Sequence, residues 1–175
     1  MLPMSEKPSH VLFLCTGNSA RSIMAEVILN HLGQGRFTAY SAGSQPKGIV
    51  HPLAIETLQR MGLPVDGLRS KSWEEFVRPD APPLDFIVTV CDDTAGEVCP
   101  IWPGKPMTAH WGVEDPAAFQ GTEHAQREKF CEVALRLRQR IERFLSVPLA
   151  TLDRTTMQAT LTAIGQGVRC HFHAV

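Results

Sequence analysis

Apolar positions along the 175-residue chain fall into two rhythms: short unbroken runs, and longer stretches with helical spacing. Val11-Leu12-Phe13-Leu14 has no polar break, which is the pattern of a strand buried on both faces. From Ser22 to Leu32 the apolar residues Ile23, Val27, Ile28 and Leu32 return at helical intervals, and Gly33 stops the stretch. Phe37 to Ala42 reads as a second strand. His51-Pro52 opens another helix, in which Leu53, Ile55, Leu58 and Met61 are apolar before Gly62 closes it. Pro79 to Pro83 mark a loop ahead of the β-branched run Phe86-Ile87-Val88-Thr89-Val90, a third strand. Met107 to Trp111 predicts a fourth, shorter strand. A long helix follows from near Thr122 to Leu145, with Phe130, Val133, Leu137, Ile141 and Phe144 on one face. Its arginines at 127, 136, 140 and 143 read as a solvated face. Leu149 to Ile164 reads as one more helix.

Strands alternating with helices predict a parallel sheet covered on both sides, with sites at the carboxyl ends of the strands. Cys15 lies just past the first strand and Cys91 just past the third, so both belong to one edge of the sheet. We expect one domain over residues 1–147 and a helical C-terminal extension over 148–175, whose role is not readable.

Composition narrows the class. With 43% hydrophobic and 20% charged residues the chain is ordinary globular material. A formal net charge of −1 points to neither a nucleic-acid nor a membrane surface. No stretch approaches the roughly twenty apolar residues of a membrane span. Met1 to His10 lacks the pattern of a signal peptide, so a cytoplasmic protein is expected. Five cysteines, an odd number, read as reduced thiols rather than as a secreted disulfide framework.

The chemistry concentrates in Cys15-Thr16-Gly17-Asn18-Ser19-Ala20-Arg21, followed by Ser22. A small-residue turn between a strand and a helix aims successive backbone N–H groups inward, which makes a nest for a tetrahedral oxyanion. The helix dipole adds positive charge there, and Arg21 can grip two oxygens with its planar fork. The same field is expected to favour the thiolate of Cys15, the nucleophilic form. The plain alternative, a cysteine that is only a small buried hydrophobe, does not account for the order of the residues around it.

These residues resemble the Cys-x5-Arg-Ser loop of the low-molecular-weight protein tyrosine phosphatases and of the arsenate reductases built on that fold. Cys-Thr-Gly-Asn-Ser, then Met24-Ala25-Glu26, is similar to the reductase branch, and the likeness runs from about His10 to about Leu145. It implies a three-layer α/β/α sandwich around a four-stranded parallel sheet, with Thr16 to Ser22 binding the substrate oxyanion. Arsenate is the implied substrate, phosphate or sulfate its mimics, and no cofactor is needed.

Cys91 to Cys99 enclose a polar, turn-rich stretch with Asp92, Asp93, Thr94 and Gly96. The spacing is too long for a CxxC pair, and no ligand set completes a metal site. Taken alone, the two cysteines could be unrelated free thiols. The resemblance implies instead that Cys91 attacks a Cys15–arsenate adduct and that Cys99 then attacks Cys91. The final disulfide is passed to thioredoxin or to glutaredoxin and glutathione. In the thioredoxin-coupled branch the gap between these cysteines is one residue shorter.

His110-Trp111-Gly112-Val113-Glu114-Asp115-Pro116 resembles the family's general-acid loop, which implies that Asp115 supplies a proton. An ordinary Asp-Pro turn is the alternative reading. The phosphatase branch carries a tyrosine after Asp-Pro, but Ala117 stands here and Tyr40 is the only tyrosine, which speaks against phosphotyrosine. Some reductases of the family hold potassium at residues corresponding to Asn18, Glu26 and Ser41. Here Lys71 replaces the fourth ligand, so no potassium is expected. Asn18 is expected to take a left-handed turn conformation. Cys131, within the long helix, reads as core or passive, and Cys170, His171 and His173 as an unremarkable tail.

Three functions remain open. They are an arsenate reductase, a phosphatase on phosphate monoesters, and a non-catalytic oxyanion-binding or redox-sensing module. Cys91 within reach of Cys15 counts against the pure phosphatase, and Asp115 aimed at the cradle counts against the binder.

Overall fold

The computed structural model describes residues 7–91 and 102–166. β1 (Ser9–Cys15), α1 (Arg21–Leu32), β2 (Phe37–Gly43) and α2 (Pro52–Arg60) follow in order. β3 (Phe86–Cys91), β4 (Met107–Val113), α3 (Glu123–Leu145) and α4 (Arg154–Gly165) complete the chain. All four strands are parallel, in the order β2-β1-β3-β4. The unbroken apolar run of β1 is explained by its central place between β2 and β3, where Val11 to Leu14 are fully buried.

Most of the core lies on one face, beneath α1, α2 and α3. There Phe13, Val88, Trp111, Leu137, Ile141 and Phe144 pack together. The third layer is thin. Leu12, Leu14 and Ile87 are covered by Phe76, Leu84, Trp73 and Trp102, from a 3-10 helix at Trp73–Phe76 and from loops. α1 carries apolar residues on more than one face because it is buried at every position from Arg21 to Leu29 except Glu26.

Both outer strands are guarded. Asn30 on α1 bonds the Ala39 carbonyl and N–H of β2 with its amide, at 3.1 and 2.8 Å. Leaving such buried backbone groups unpaired costs about 1–3 kcal/mol each. On the opposite edge α4 packs along β4, and the indole N–H of Trp111 donates to the Leu161 carbonyl at 3.0 Å. A Cβ at Gly165 would collide with the His110 carbonyl, so glycine sets how closely α4 approaches.

Two boundaries and one side chain differ from the sequence reading. β4 continues to Val113, its pairing with β3 shifting register between His110 and Val113. α4 begins at Arg154, after Pro148, where the Asp153 carboxylate accepts the Thr156 N–H at 2.7 Å as a cap. Arg140 is not on a solvated face, since its guanidinium donates to the Trp111 and Gly112 carbonyls. Arg127, Arg136 and Arg138 do form surface ion pairs with glutamates.

Candidate active site

The loop from Cys15 to Arg21 joins β1 to α1, and its shape is imposed from outside. The Gln45 N–H donates to the Thr16 carbonyl, Lys47 N–H to the Gly17 carbonyl and His51 N–H to the Ser19 carbonyl, each at 2.9 Å. Ser70 Oγ also donates to the Gly17 carbonyl at 3.3 Å. With these carbonyls bound on the outside, the loop's N–H groups are left for its concave side. Asn18 has φ of 41°, the left-handed conformation expected for it. Its Oδ1 accepts the Lys71 N–H at 2.8 Å and its Nδ2 donates to Ser22 Oγ at 2.8 Å, so the buried side chain pins the turn. Ala20 precedes α1 and has no side-chain acceptor to cap it, so the first helical N–H groups are not claimed by a cap there.

Gly43, at the end of β2, was not singled out by the sequence. A Cβ there would meet the Thr16 carbonyl at 2.5 Å and the Cys15 carbonyl at 2.8 Å. Both obstacles are loop backbone, so relief requires moving the cradle. Gly43→Ala is therefore expected to weaken inorganic phosphate binding by at least about ten-fold, as small misplacements at such sites do. Titration calorimetry measures this, and wild-type affinity in the variant would show that the loop tolerates the shift.

Arg21 is 8% exposed. One guanidinium nitrogen donates to the Val113 carbonyl at 3.1 Å, and another lies 3.8 Å from Asp115 Oδ2. Asp115 itself accepts the Ala117 N–H at 2.9 Å and caps the short 3-10 turn Pro116–Ala118. The end of β4 thus brings the carboxylate to the arginine.

Cys91 ends β3 beside the loop. Its Sγ accepts the Thr16 N–H at 3.3 Å and lies 3.6 Å from Thr16 Oγ1. It also hydrogen-bonds Cys15, and that bond is the largest of the causes holding the Cys15 thiol far above the usual range. Burial adds to the rise, while Arg21 and the Gly17 N–H oppose it. The expected thiolate of Cys15 is therefore not favoured in this arrangement. Two adjacent sulfurs cannot both ionise readily, because a thiolate at one disfavours a thiolate at the other.

Below the cradle, Lys71 Nζ lies 3.5 Å from Ser41 Oγ, 3.8 Å from Glu26 Oε1 and 3.0 Å from the Arg69 carbonyl. Ser41 donates to Glu26 at 2.7 Å. Burial raises the Glu26 carboxyl and lowers the Lys71 ammonium, each opposed by the other's charge. These oxygens are already served by the chain's own ammonium, so the set does not fit a further cation.

The structure thus brings together Cys15, Arg21, Cys91 and Asp115, from the ends of β1 and β3, the start of α1 and the turn after β4. Cys99 and the tail residues Cys170, His171 and His173 lie outside the described residues. Among the described residues, no three His, Cys, Asp or Glu side chains are placed to share a metal ion. No described helix is long and apolar enough to cross a membrane.

A parallel sheet with a cysteine-to-arginine loop between its first strand and helix defines the class: an α/β protein of the low-molecular-weight phosphatase type. The chain belongs to the low molecular weight phosphotyrosine protein phosphatase family, whose family model matches residues 10–158. Among curated relatives, an arsenate reductase of Bacillus licheniformis is 36% identical over 143 residues, 81% of this chain and 96% of its own. A solved structure described as an arsenate reductase in the phosphate binding state is 29% identical with a TM-score of 0.65. It is matched over 79% of this chain and 97% of its own. The Corynebacterium glutamicum thioredoxin-dependent arsenate reductase is 26% identical with a TM-score of 0.55, over 79% of this chain and 64% of its own.

Proposed function

We propose that this chain reduces arsenate to arsenite with its own thiols. The observation that carries the reading is Cys91, whose sulfur is hydrogen-bonded to both Cys15 and the Thr16 N–H. A phosphatase needs only water to finish its cycle, so a second thiol against the nucleophile's loop has no purpose there. A plain oxyanion binder needs no acid, yet Asp115 stands beside Arg21.

The chemistry follows from the geometry. Residues Thr16 to Ser22 cradle arsenate, and Arg21 neutralises its charge. Cys15 sulfur attacks arsenic, Asp115 gives a proton to the departing oxygen, and water leaves from a thiol-arsenate adduct. The Cys15 thiol proton passes to an arsenate oxygen as the sulfur–arsenic bond forms, and Cys91 keeps its own. Cys91 then attacks Cys15 sulfur, and the sulfur–sulfur bond forms as the sulfur–arsenic bond breaks. That electron pair stays on arsenic, reducing it to arsenite, and the Cys91 proton passes to an arsenite oxygen. The Thr16 N–H stabilises Cys91 as it loses that proton. Cys99 releases Cys15 by thiol–disulfide exchange, and a cytoplasmic thioredoxin reduces the resulting disulfide. Thioredoxin is preferred over glutaredoxin and glutathione because the second thiol is internal and a structural relative carries thioredoxin dependence in its description. In this reading the catalytic unit is residues 1–147 and the rest is an accessory extension.

Arsenate-dependent NADPH oxidation tests this directly, run once with thioredoxin and its reductase and once with glutathione and glutaredoxin. Turnover is expected with the first system. Turnover only with glutathione would remove Cys91 from the relay, and turnover with neither would overturn the reductase assignment.

A further inference from the structure

β4 is an edge strand, so the carbonyls along its open side have no ladder partner. Side chains take them instead. Arg154 donates to the Lys105 carbonyl just before the strand at 3.0 Å, and Gln158 to the Thr108 carbonyl at 2.8 Å. Further along, one nitrogen of Arg140 donates to the Trp111 carbonyl at 2.7 Å and to the Gly112 carbonyl at 2.8 Å. The next carbonyl, of Val113, is taken by Arg21.

Arg140 sits where the strand is irregular. Pairing passes from Thr89 opposite His110 to Cys91 opposite Val113, so two steps on β3 face three on β4. Such a bulge beside a site re-aims the residues that follow it. Here those residues are Val113, which holds Arg21, and Asp115, which stands beside it. Neighbouring arginine and lysine side chains on α3 do something different: Lys129 and Arg136 pair with the exposed carboxylates of Glu114 and Glu132.

We propose that Arg140 is a positioning residue for the oxyanion site. By clasping the Trp111 and Gly112 carbonyls it fixes the bulge that sets the Val113 carbonyl against Arg21 and brings Asp115 alongside. The inference rests on the reading above that the Cys15–Ser22 loop receives a tetrahedral oxyanion.

The test compares Arg140→Met, which keeps the apolar stem and loses every donor, with Arg140→Lys, whose single mobile ammonium holds the carbonyls less rigidly. Arg136→Met, one turn away, is the control. Inorganic phosphate affinity is measured by calorimetry, well below each protein's melting temperature. Hydrolysis of a small aryl phosphate gives kcat and KM beside it. Arg140→Met should bind phosphate about ten-fold more weakly and lose at least as much in kcat/KM. Arg140→Lys should fall between, about three-fold weaker, and Arg136→Met should match wild type. An Arg140→Met protein that melts early yet binds phosphate normally while folded would reduce Arg140 to a structural brace and overturn the proposal. If Arg140→Met does not fold, unchanged phosphate affinity in Arg140→Lys overturns it equally. A wild-type protein that binds phosphate but reduces no arsenate would sink the reductase reading while leaving this proposal to the phosphate data.

Discussion

Cys15→Ser should abolish both arsenate reduction and aryl phosphate hydrolysis while leaving the fold and its melting temperature nearly unchanged. The serine hydroxyl is close in size to the thiol, and Cys15 is packed at the end of β1 among core residues. The chemical change is far larger than the steric one. A hydroxyl stays protonated near neutral pH, and oxygen cannot carry the two-electron exchange by which one sulfur leaves arsenic and joins another. Phosphate should still bind, because the loop N–H groups and Arg21 do not depend on the sulfur. A loss of more than about five orders of magnitude is expected, comparable to knocking out a nucleophile elsewhere. Turnover above a trace would place the nucleophile at another residue.

Cys91→Ser should split the two chemistries that Cys15→Ser removes together. The cradle, Arg21 and Asp115 remain, so phosphate binds and an aryl phosphate is hydrolysed slowly. Arsenate turnover with thioredoxin should vanish, because the Cys15 adduct has no internal thiol to collapse it. A companion variant, Cys91→Ala, leaves no hydrogen-bonding atom opposite Cys15. Since the Cys91 contact is the foremost cause raising the Cys15 thiol, its removal should lower that pKa. The variant's Cys15 should therefore be alkylated by iodoacetamide at a lower pH than in wild type. An unmoved alkylation profile would mean that burial, not Cys91, holds the proton on Cys15.

Much of this site is visible in one dimension because its core is contiguous. A strand, a seven-residue turn and a helix start occupy neighbouring positions, so cradle, nucleophile and Arg21 can be read together. Cys91 could be placed on the same sheet edge because parallel strands bring their carboxyl ends to one side. What stayed hidden depends on contacts between distant segments. Gly43 reads as an ordinary strand end until the loop backbone is seen against it. Arg140 has the spacing of a solvated helix face, and only the bulge in β4 reveals carbonyls for it to hold. The 3-10 helix at Trp73–Phe76 is too short for any periodicity to mark. Taken alone, the loop favours the Cys15 thiolate through Arg21 and the helix dipole. The deciding neighbour comes from β3, 76 positions further along the chain, and reverses the direction.

The central claim is that Cys15 and Cys91 exchange electrons with arsenic inside one protein molecule. Fully reduced wild-type protein, treated with arsenate without any external thiol, should be alkylated, digested and mapped by mass spectrometry. The account predicts one new intramolecular disulfide containing Cys91, joined to Cys15 or to Cys99, with one arsenite formed per disulfide. Arsenite formed while Cys91 remains alkylatable would contradict it and assign the second thiol to an outside partner.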